Sequence, residues 1–109
     1  IGSYYARQVV RLRERLGGIA STSQLLEIEN FPKEALQYIH IDGSNVRRLN
    51  VNRLTLQQLK RHPYINYYQA RAITDYRRLH GEITSIDQLG RMKEFKSADL
   101  QRLAPYLEF

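Results

Sequence analysis

Apolar residues recur along this chain roughly every three to four positions, which is the spacing of an amphipathic helix. The two longest stripes of this kind lie in different halves of the chain: Ala6, Val9, Leu12 and Leu16, and Ala70, Ile73, Tyr76 and Leu79. A glycine, Gly17 or Gly81, follows the basic end of each stripe, and a helix is expected to stop there. The pattern therefore predicts two long helices that each bury one face.

Shorter helices are predicted by capping boxes, in which a hydroxyl and an amide side chain satisfy free N–H groups at a helix start. There are three: Ser21-x-x-Gln24, Thr55-x-x-Gln58 and Ser85-x-x-Gln88. After each box one apolar residue stands at a corner between two helices, namely Phe31, Ile65 or Phe95. We expect these corner residues to pack between the helices they join. Strand signals are almost absent, so the predicted fold class is all-α, built from short helices paired through tight turns.

The chain also matches itself. Residues 1–39 align without a gap on residues 65–103, with identities that include Tyr4 with Tyr68 and Gly17 with Gly81. An ungapped match of this length predicts two copies of one structural unit. Because the match reaches the first residue, we expect the first copy to begin inside a hairpin and the natural protein to extend further at its N-terminus.

An aperiodic stretch, DGSNVRRLNVN, separates the two copies. We therefore predict a first unit at residues 1–42, a linker at residues 43–53 and a second unit at residues 54–109. No apolar run approaches the roughly 18 residues of a membrane span, and no signal-peptide pattern is present. We expect no transmembrane segment within this sequence.

Positive charge is concentrated in the middle of the chain. Residues 45–78 hold eight arginines and lysines and one aspartate, a net charge of +7, whereas the whole chain carries +6. Such a concentration favours a polyanion or an acidic partner, although a solvated basic face with no partner stays open as the alternative.

The residues for catalytic or metal chemistry are not arranged for it. The chain has no cysteine, which excludes disulfides, thiol chemistry and cysteine-based zinc sites. His40, His62 and His80 lack metal-ligand spacing, and no Ser/His/Asp set, carboxylate pair or glycine-rich nucleotide loop can be picked out. We expect no enzyme activity, cofactor, metal or small-molecule substrate.

The stretch LNVNRLTLQQLKRHPYINYYQARAITDYRRLHGEITSIDQL resembles helix-hairpin-helix domains of the ComEA-like competence and DNA-uptake family. That family has an Asn-x-Asn entry, a Thr/Ser-capped helix, a Leu-Pro-Gly-Ile-Gly corner, and a helix with Ala and a Tyr-Arg pair. The matching positions are Asn50, Asn52, Thr55, Leu59, Pro63, Ile65, Ala70, Tyr76, Arg77 and Gly81. The N-terminal copy matches from Ile1-Gly2, the end of its Gly-Ile-Gly.

The resemblance implies tandem helix-hairpin-helix units that bind double-stranded DNA without sequence preference, in bacterial DNA capture or uptake. Some longer relatives look like a membrane anchor followed by such units, which implies an extracytoplasmic location. Phosphate would be held by free N–H groups at a helix start, helped by the helix dipole and by nearby basic side chains. The implied phosphate-binding residues are Gly2, Ser3, Arg7, Lys60, Arg61, Ile65, Asn66, Tyr67 and Arg71.

The corners depart from the family pattern, because Tyr64-Ile65-Asn66 replaces Gly-Ile-Gly in the central hairpin. We expect Asn66 to adopt the left-handed backbone that glycine would supply, and Tyr64 to add bulk near the phosphate path. The corners Asn30-Phe31-Pro32 and Glu94-Phe95-Lys96 are predicted to be structural, and the Gly2 hairpin ranks above the central one.

Two alternatives stay open, one for the role of the tyrosines and one for the function of the chain. Tyr64, Tyr67 and Tyr68 either stack on bases or pack with their hydroxyls in water. The alternative to DNA binding is a degenerate scaffold that serves protein–protein interaction or acts as a spacer.

Overall fold

The computed structural model describes residues 2–109, so the predicted role of Ile1 in a hairpin lies outside the described residues. The chain divides into two compact units, Ile1–Arg47 and Arg48–Phe109, here called unit 1 and unit 2. Both are built mainly from helices, which confirms the predicted predominance of helix. No helix in the described part of the chain is long and apolar enough to cross a membrane.

Unit 1 consists of one long helix and two short ones. Helix α1 spans Ser3–Leu16, and 3-10 helices span Thr22–Glu27 and Lys33–Tyr38. The short helices predicted here are present, but they are 3-10 helices, because their turns close between residues three apart, as from the Ile39 N–H to the Leu36 carbonyl at 3.2 Å. In α geometry a six-residue helix leaves most of its backbone N–H and C=O groups without a partner. The 3-10 pattern bonds residues three apart and so forms one more backbone hydrogen bond.

Unit 2 contains all the remaining elements. They are β1 at Leu49–Asn50, α2 at Leu56–Lys60, α3 at Tyr67–His80, α4 at Ile86–Gly90, α5 at Ser97–Leu103, a 3-10 helix at Ala104–Tyr106 and β2 at Leu107–Glu108. The two strands pair in parallel, with Leu49 opposite Leu107. A strictly all-α fold is therefore a small error of the sequence analysis, since this pair joins distant segments and leaves no local pattern.

Both long helices stop where the glycines predict. Helix α1 ends at Leu16 and α3 ends at His80, each directly before a glycine with positive φ, 79° at Gly17 and 89° at Gly81. The capping boxes also form: the Gln58 side chain accepts the Thr55 N–H at 2.9 Å, while the Thr55 hydroxyl accepts the Gln58 N–H at 3.1 Å. Local sequence therefore sets the limits of these elements.

The three corner residues are buried as predicted, with exposures of 7% for Phe31, 3% for Ile65 and 5% for Phe95. The predicted apolar stripes are only partly buried. Ala6 is exposed and Leu79 is 65% exposed, so these two assignments to the core are wrong. Leu79 lies in the last turn of α3, beyond the contacts that cover Ala70 and Ile73.

Residues 43–53, predicted as a linker, make specific contacts within the two units. In unit 1 the Arg47 N–H donates to the Gly17 carbonyl at 2.6 Å, and Gly43 lies against the backbone of Ala20. In unit 2 the Val51 N–H donates to the Glu108 carbonyl at 3.2 Å. An aperiodic sequence can thus be ordered by hydrogen bonds that its own pattern does not display.

Candidate nucleic-acid interface

The corner between α2 and α3 is closed by its own hydrogen bonds. The Ile65 N–H donates to the His62 carbonyl at 3.0 Å, and the Tyr64 N–H donates to Nδ1 of His62 at 3.1 Å. His62 is only 7% exposed, so its imidazole belongs to the interior of the corner. Two N–H groups of the corner are therefore engaged inside the protein.

Asn66 caps α3 and does not take the left-handed conformation expected of it. Its backbone is extended, with φ −88° and ψ 174°. Its side chain accepts the Gln69 N–H at 2.8 Å, and the Gln69 side chain accepts the Asn66 N–H at 3.0 Å. This reciprocal pair stabilises the extended N-cap geometry. The spacing Asn66-x-x-Gln69 is the same as in the other capping boxes, so the signal was present in the sequence but missed.

The first turn of α3 presents the amides that a phosphate could reach. N–H groups at the first positions of a helix have no intrahelical acceptor, and those of Tyr67 and Tyr68 find none elsewhere among residues 2–109. The N–H groups of Tyr64, Ile65 and Asn66 are bonded within the protein. The donors available to a phosphate are therefore those of the two residues that follow the corner.

Tyr64 does not obstruct this path, contrary to the prediction. Its side chain is 3% exposed and packs edge-on against His62 and Tyr106, with ring centroids 5.3 Å and 5.8 Å away. The Arg102 guanidinium lies 4.0 Å from the centre of its ring. Burying a large aromatic ring is more favourable in free energy than leaving it in water at a corner. The Tyr64 ring therefore packs in the core of unit 2.

Two cations meet at Tyr67. Lys60 Nζ lies 6.0 Å from the ring centre of Tyr67, and the Arg71 guanidinium donates to the Tyr67 hydroxyl at 3.3 Å. We call Lys60, Tyr67 and Arg71 the Tyr67 cluster. It lies beside the free N–H groups of the α3 start, because Tyr67 itself is the first residue of that helix.

The charge of Arg71 is held within this cluster. Arg71 is the fifth residue of α3, just beyond its first turn, and it also approaches Asp75 at 3.5 Å. The hydrogen bond to the Tyr67 hydroxyl, together with Asp75, raises the pKa of Arg71 above its ordinary value. Like any arginine it is charged at physiological pH, and Asp75 offsets part of its field.

The start of α1 is more open. Its N-cap is Gly2, which makes no side-chain cap bond, and a Cβ added there would meet nothing within 4 Å. Ser3 is the first residue of the helix, and exposed Arg7 is the fifth. The Ala6 N–H donates to the Gly2 carbonyl at 3.1 Å. Among residues 2–109, no side chain caps the first N–H groups of this helix.

The remaining predicted site residues lie outside the Tyr67 cluster or point away from it. Arg61 is exposed at the end of α2, and the side chain of Ile65 is buried. At the other corners, the Asn30 carbonyl accepts the Tyr5 hydroxyl at 2.8 Å and the Glu94 carbonyl accepts the Gln69 amide at 3.1 Å. Within the described residues no group of His, Asp or Glu could hold a metal ion.

Asn66→Ala is expected to destabilise unit 2 by about 1 kcal/mol, the typical cost of a lost N-cap. Asn66→Ser is the matched control, because a serine hydroxyl can accept the same Gln69 N–H. The free energy of unfolding from urea titration followed by circular dichroism would measure both variants. Equal stability of the alanine and serine variants would contradict the capping role.

Comparison with known protein families gives one match, which covers most of unit 2. A family model described as "Helix-hairpin-helix motif" matches residues 44–108. No curated protein and no solved structure matches the chain.

Proposed function

The chain belongs to the helix-hairpin-helix family, and we propose that it is a non-catalytic module that binds double-stranded DNA through the phosphate backbone, without sequence preference. Motifs of this family are generally associated with nucleic-acid binding. The resemblance to ComEA-like domains supports a role in DNA capture or uptake.

The observation that carries the proposal is the position of the Tyr67 cluster at the start of α3. Two N–H groups without acceptors, the positive end of the helix dipole and the cations of Lys60 and Arg71 converge on one exposed surface. A phosphate oxygen accepts hydrogen bonds from such groups and is attracted by the dipole. These contacts hold a backbone in place but distinguish no bases.

We further propose that the two units are tandem copies and that the start of α1 is a second phosphate site. The support is the ungapped match between residues 1–39 and 65–103. Uncapped Gly2, with Arg7 one turn later, occupies the position that Asn66 and Arg71 occupy in unit 2. Two sites on one chain would bind a duplex more tightly than either site alone.

Two observations favour the second candidate function, a scaffold for protein interaction. The N–H groups of Tyr64, Ile65 and Asn66 are all bonded within the protein, and Asp75 lies next to Arg71. A hairpin that satisfies its own amides binds phosphate with fewer donors. A protein-interaction role would leave DNA affinity low at every salt concentration.

Fluorescence-anisotropy titration with a random-sequence duplex over a range of salt concentrations tests the proposal. Engagement of about four phosphates gives a slope near −3.6 for the logarithm of the binding constant against the logarithm of salt concentration. The double variant Lys60→Gln with Arg71→Gln is expected to bring that slope to about −1.8, since each lost contact removes about 0.9.

The matched control is Arg91→Gln with Lys93→Gln, which removes the same charge from exposed positions of unit 2 outside the cluster. We expect this control to keep the slope of the unchanged protein. Absence of binding at low salt would reject the DNA function and favour the scaffold. An equal effect of both double variants would reject the Tyr67 cluster as the site.

A further inference from the structure

Helix α1 carries three arginines in a line along its exposed side. Arg7, Arg11 and Arg15 are spaced four residues apart, so they lie on one side of the helix, each a turn beyond the last. All three are exposed, whereas Leu12 and Leu16, on another side of the helix, are buried. We call Arg7, Arg11 and Arg15 the arginine row.

The charges of the arginine row are not neutralised by the rest of the described chain. Within residues 2–109, none of the three guanidinium groups lies within 4 Å of a carboxylate. The one acidic residue of α1, Glu14, is exposed and forms no ion pair with them. The row therefore presents three cations that an anion outside the protein can reach.

The same side of the long helix is open in unit 2, where another helix precedes it. The counterparts of the row in the internal sequence match are Arg71, Asp75 and Leu79. The side chains of Arg71 and Asp75 are 60% and 42% exposed, and Leu79 is 65% exposed, although α2 packs on α3. A preceding helix of the hairpin therefore leaves this side of the long helix uncovered.

The counterparts also show that the fold does not require arginines at these positions. Helix α3 keeps the first arginine of the row, but it has an aspartate at the second position and a leucine at the third. Both helices nevertheless span 14 residues and end directly before a glycine. The row is thus a feature of α1 that helix formation does not explain.

The spacing of the row fits a linear polyanion. Because an α-helix rises about 1.5 Å per residue, Arg7 and Arg15 are separated by roughly 12 Å along the axis. One strand of duplex DNA carries a phosphate about every 3.4 Å of its axis, so this length spans about three to four phosphates. The planar guanidinium of arginine can also bond two phosphate oxygens at once.

An anionic membrane surface fits this helix less well than a nucleic acid does. A helix that lies on a membrane buries its apolar side among the lipids. The apolar side of α1 is already used within unit 1, where Leu12 is 5% exposed and Leu16 is 1% exposed. The arginine row therefore offers a partner charge without the apolar surface that lipids require.

We propose that one strand of a DNA duplex lies along α1, with its phosphates bound by the arginine row from the start of the helix to Arg15. This inference rests on the proposed function and extends it. Arg7 belongs to the phosphate site proposed at Gly2, whereas Arg11 and Arg15 are additional contacts that continue this site along the next two turns. Unit 1 then holds the duplex along a helix, and unit 2 holds it at a helix start.

Fluorescence-anisotropy titration of the 109-residue protein with a random-sequence duplex, at several salt concentrations, tests the row. Arg11→Gln should make the slope of the logarithm of the binding constant against the logarithm of salt concentration shallower by about 0.9, and Arg11→Gln with Arg15→Gln by about 1.8. Glutamine is a good helix former, and these arginines bond nothing within the described chain. We therefore expect unchanged circular dichroism.

Arg13→Gln is the matched control on the same helix. Arg13 is exposed and carries the same charge as Arg11, but a separation of two residues places it about 200° further around the helix. The slope of this variant should equal that of the unchanged protein. In NMR spectra of the labelled protein, added duplex should shift the guanidinium Nε–H signals of Arg11 and Arg15 and leave that of Arg13 in place.

Each other outcome overturns the proposal in a recognisable way. Salt-dependent DNA binding whose slope survives Arg11→Gln with Arg15→Gln would reject the row and leave the proposed function standing. No DNA binding by the unchanged protein at low salt would reject both. Equal losses from Arg11→Gln and Arg13→Gln would show that only net charge matters. Binding to phosphatidylserine–phosphatidylcholine vesicles that the double variant loses, while it keeps full DNA binding, would assign the row to a membrane surface.

Discussion

Gly43→Ala is expected to destabilise unit 1 by about 3 kcal/mol, at the upper end of the usual cost of overpacking. A Cβ at this position would collide with the carbonyl oxygen of Ala20. That oxygen belongs to the backbone and cannot rotate aside as a flexible side chain could. Relief requires the stretch around Gly43 to move away, which strains the contact between Arg47 and Gly17.

Residue-resolved hydrogen exchange is the suitable measurement, because it reports unit 1 and unit 2 separately. Amides that the Gly43→Ala change exposes should include those of Gly18 and Arg47, both bonded near the altered segment. Gly2→Ala is the matched control, since its Cβ would meet nothing within 4 Å. Unchanged protection in Gly43→Ala would mean that this stretch is not held against Ala20 in solution.

Asn52→Ala is expected to destabilise unit 2 by about 2–4 kcal/mol, because it leaves two backbone groups of a buried residue without partners. The Asn52 side chain bonds both the N–H and the carbonyl of Ile83, and Ile83 is fully buried. Water cannot replace these bonds without opening the contact between the turn at Asn52 and the loop after α3.

Asn50→Ala is the comparison for this effect. Asn50 uses its side chain to accept the neighbouring Asn52 N–H at 2.9 Å, a local turn bond whose loss exposes one group near the surface. We expect its cost to be less than half that of Asn52→Ala, as measured by urea titration of both variants. Equal costs would show that the turn, and not the link to Ile83, is what Asn52 stabilises.

The start of α3 shows why the site was only partly predictable. Lys60, Tyr67 and Arg71 are spaced so that a helix–turn–helix brings them together, and the structure places them in one cluster. The conformation of Asn66 and the direction of Tyr64 were predicted incorrectly. Both depend on whether the residue faces solvent or contacts another residue of the protein. Asn66 bonds with Gln69, and Tyr64 packs against His62 and Tyr106.

The ends of the long helices, the capping boxes and the burial of the corner residues could all be predicted from the amino-acid sequence. These features depend on interactions within a few residues, such as the Thr55–Gln58 pair, and local interactions leave a local pattern. Three features emerge only in the folded chain: Gly43 lies against Ala20, Asn52 pairs with Ile83, and Ala6 is exposed while Ala70 is buried. Each of these depends on which distant segment covers a given surface, and periodicity along the chain carries no information about that segment.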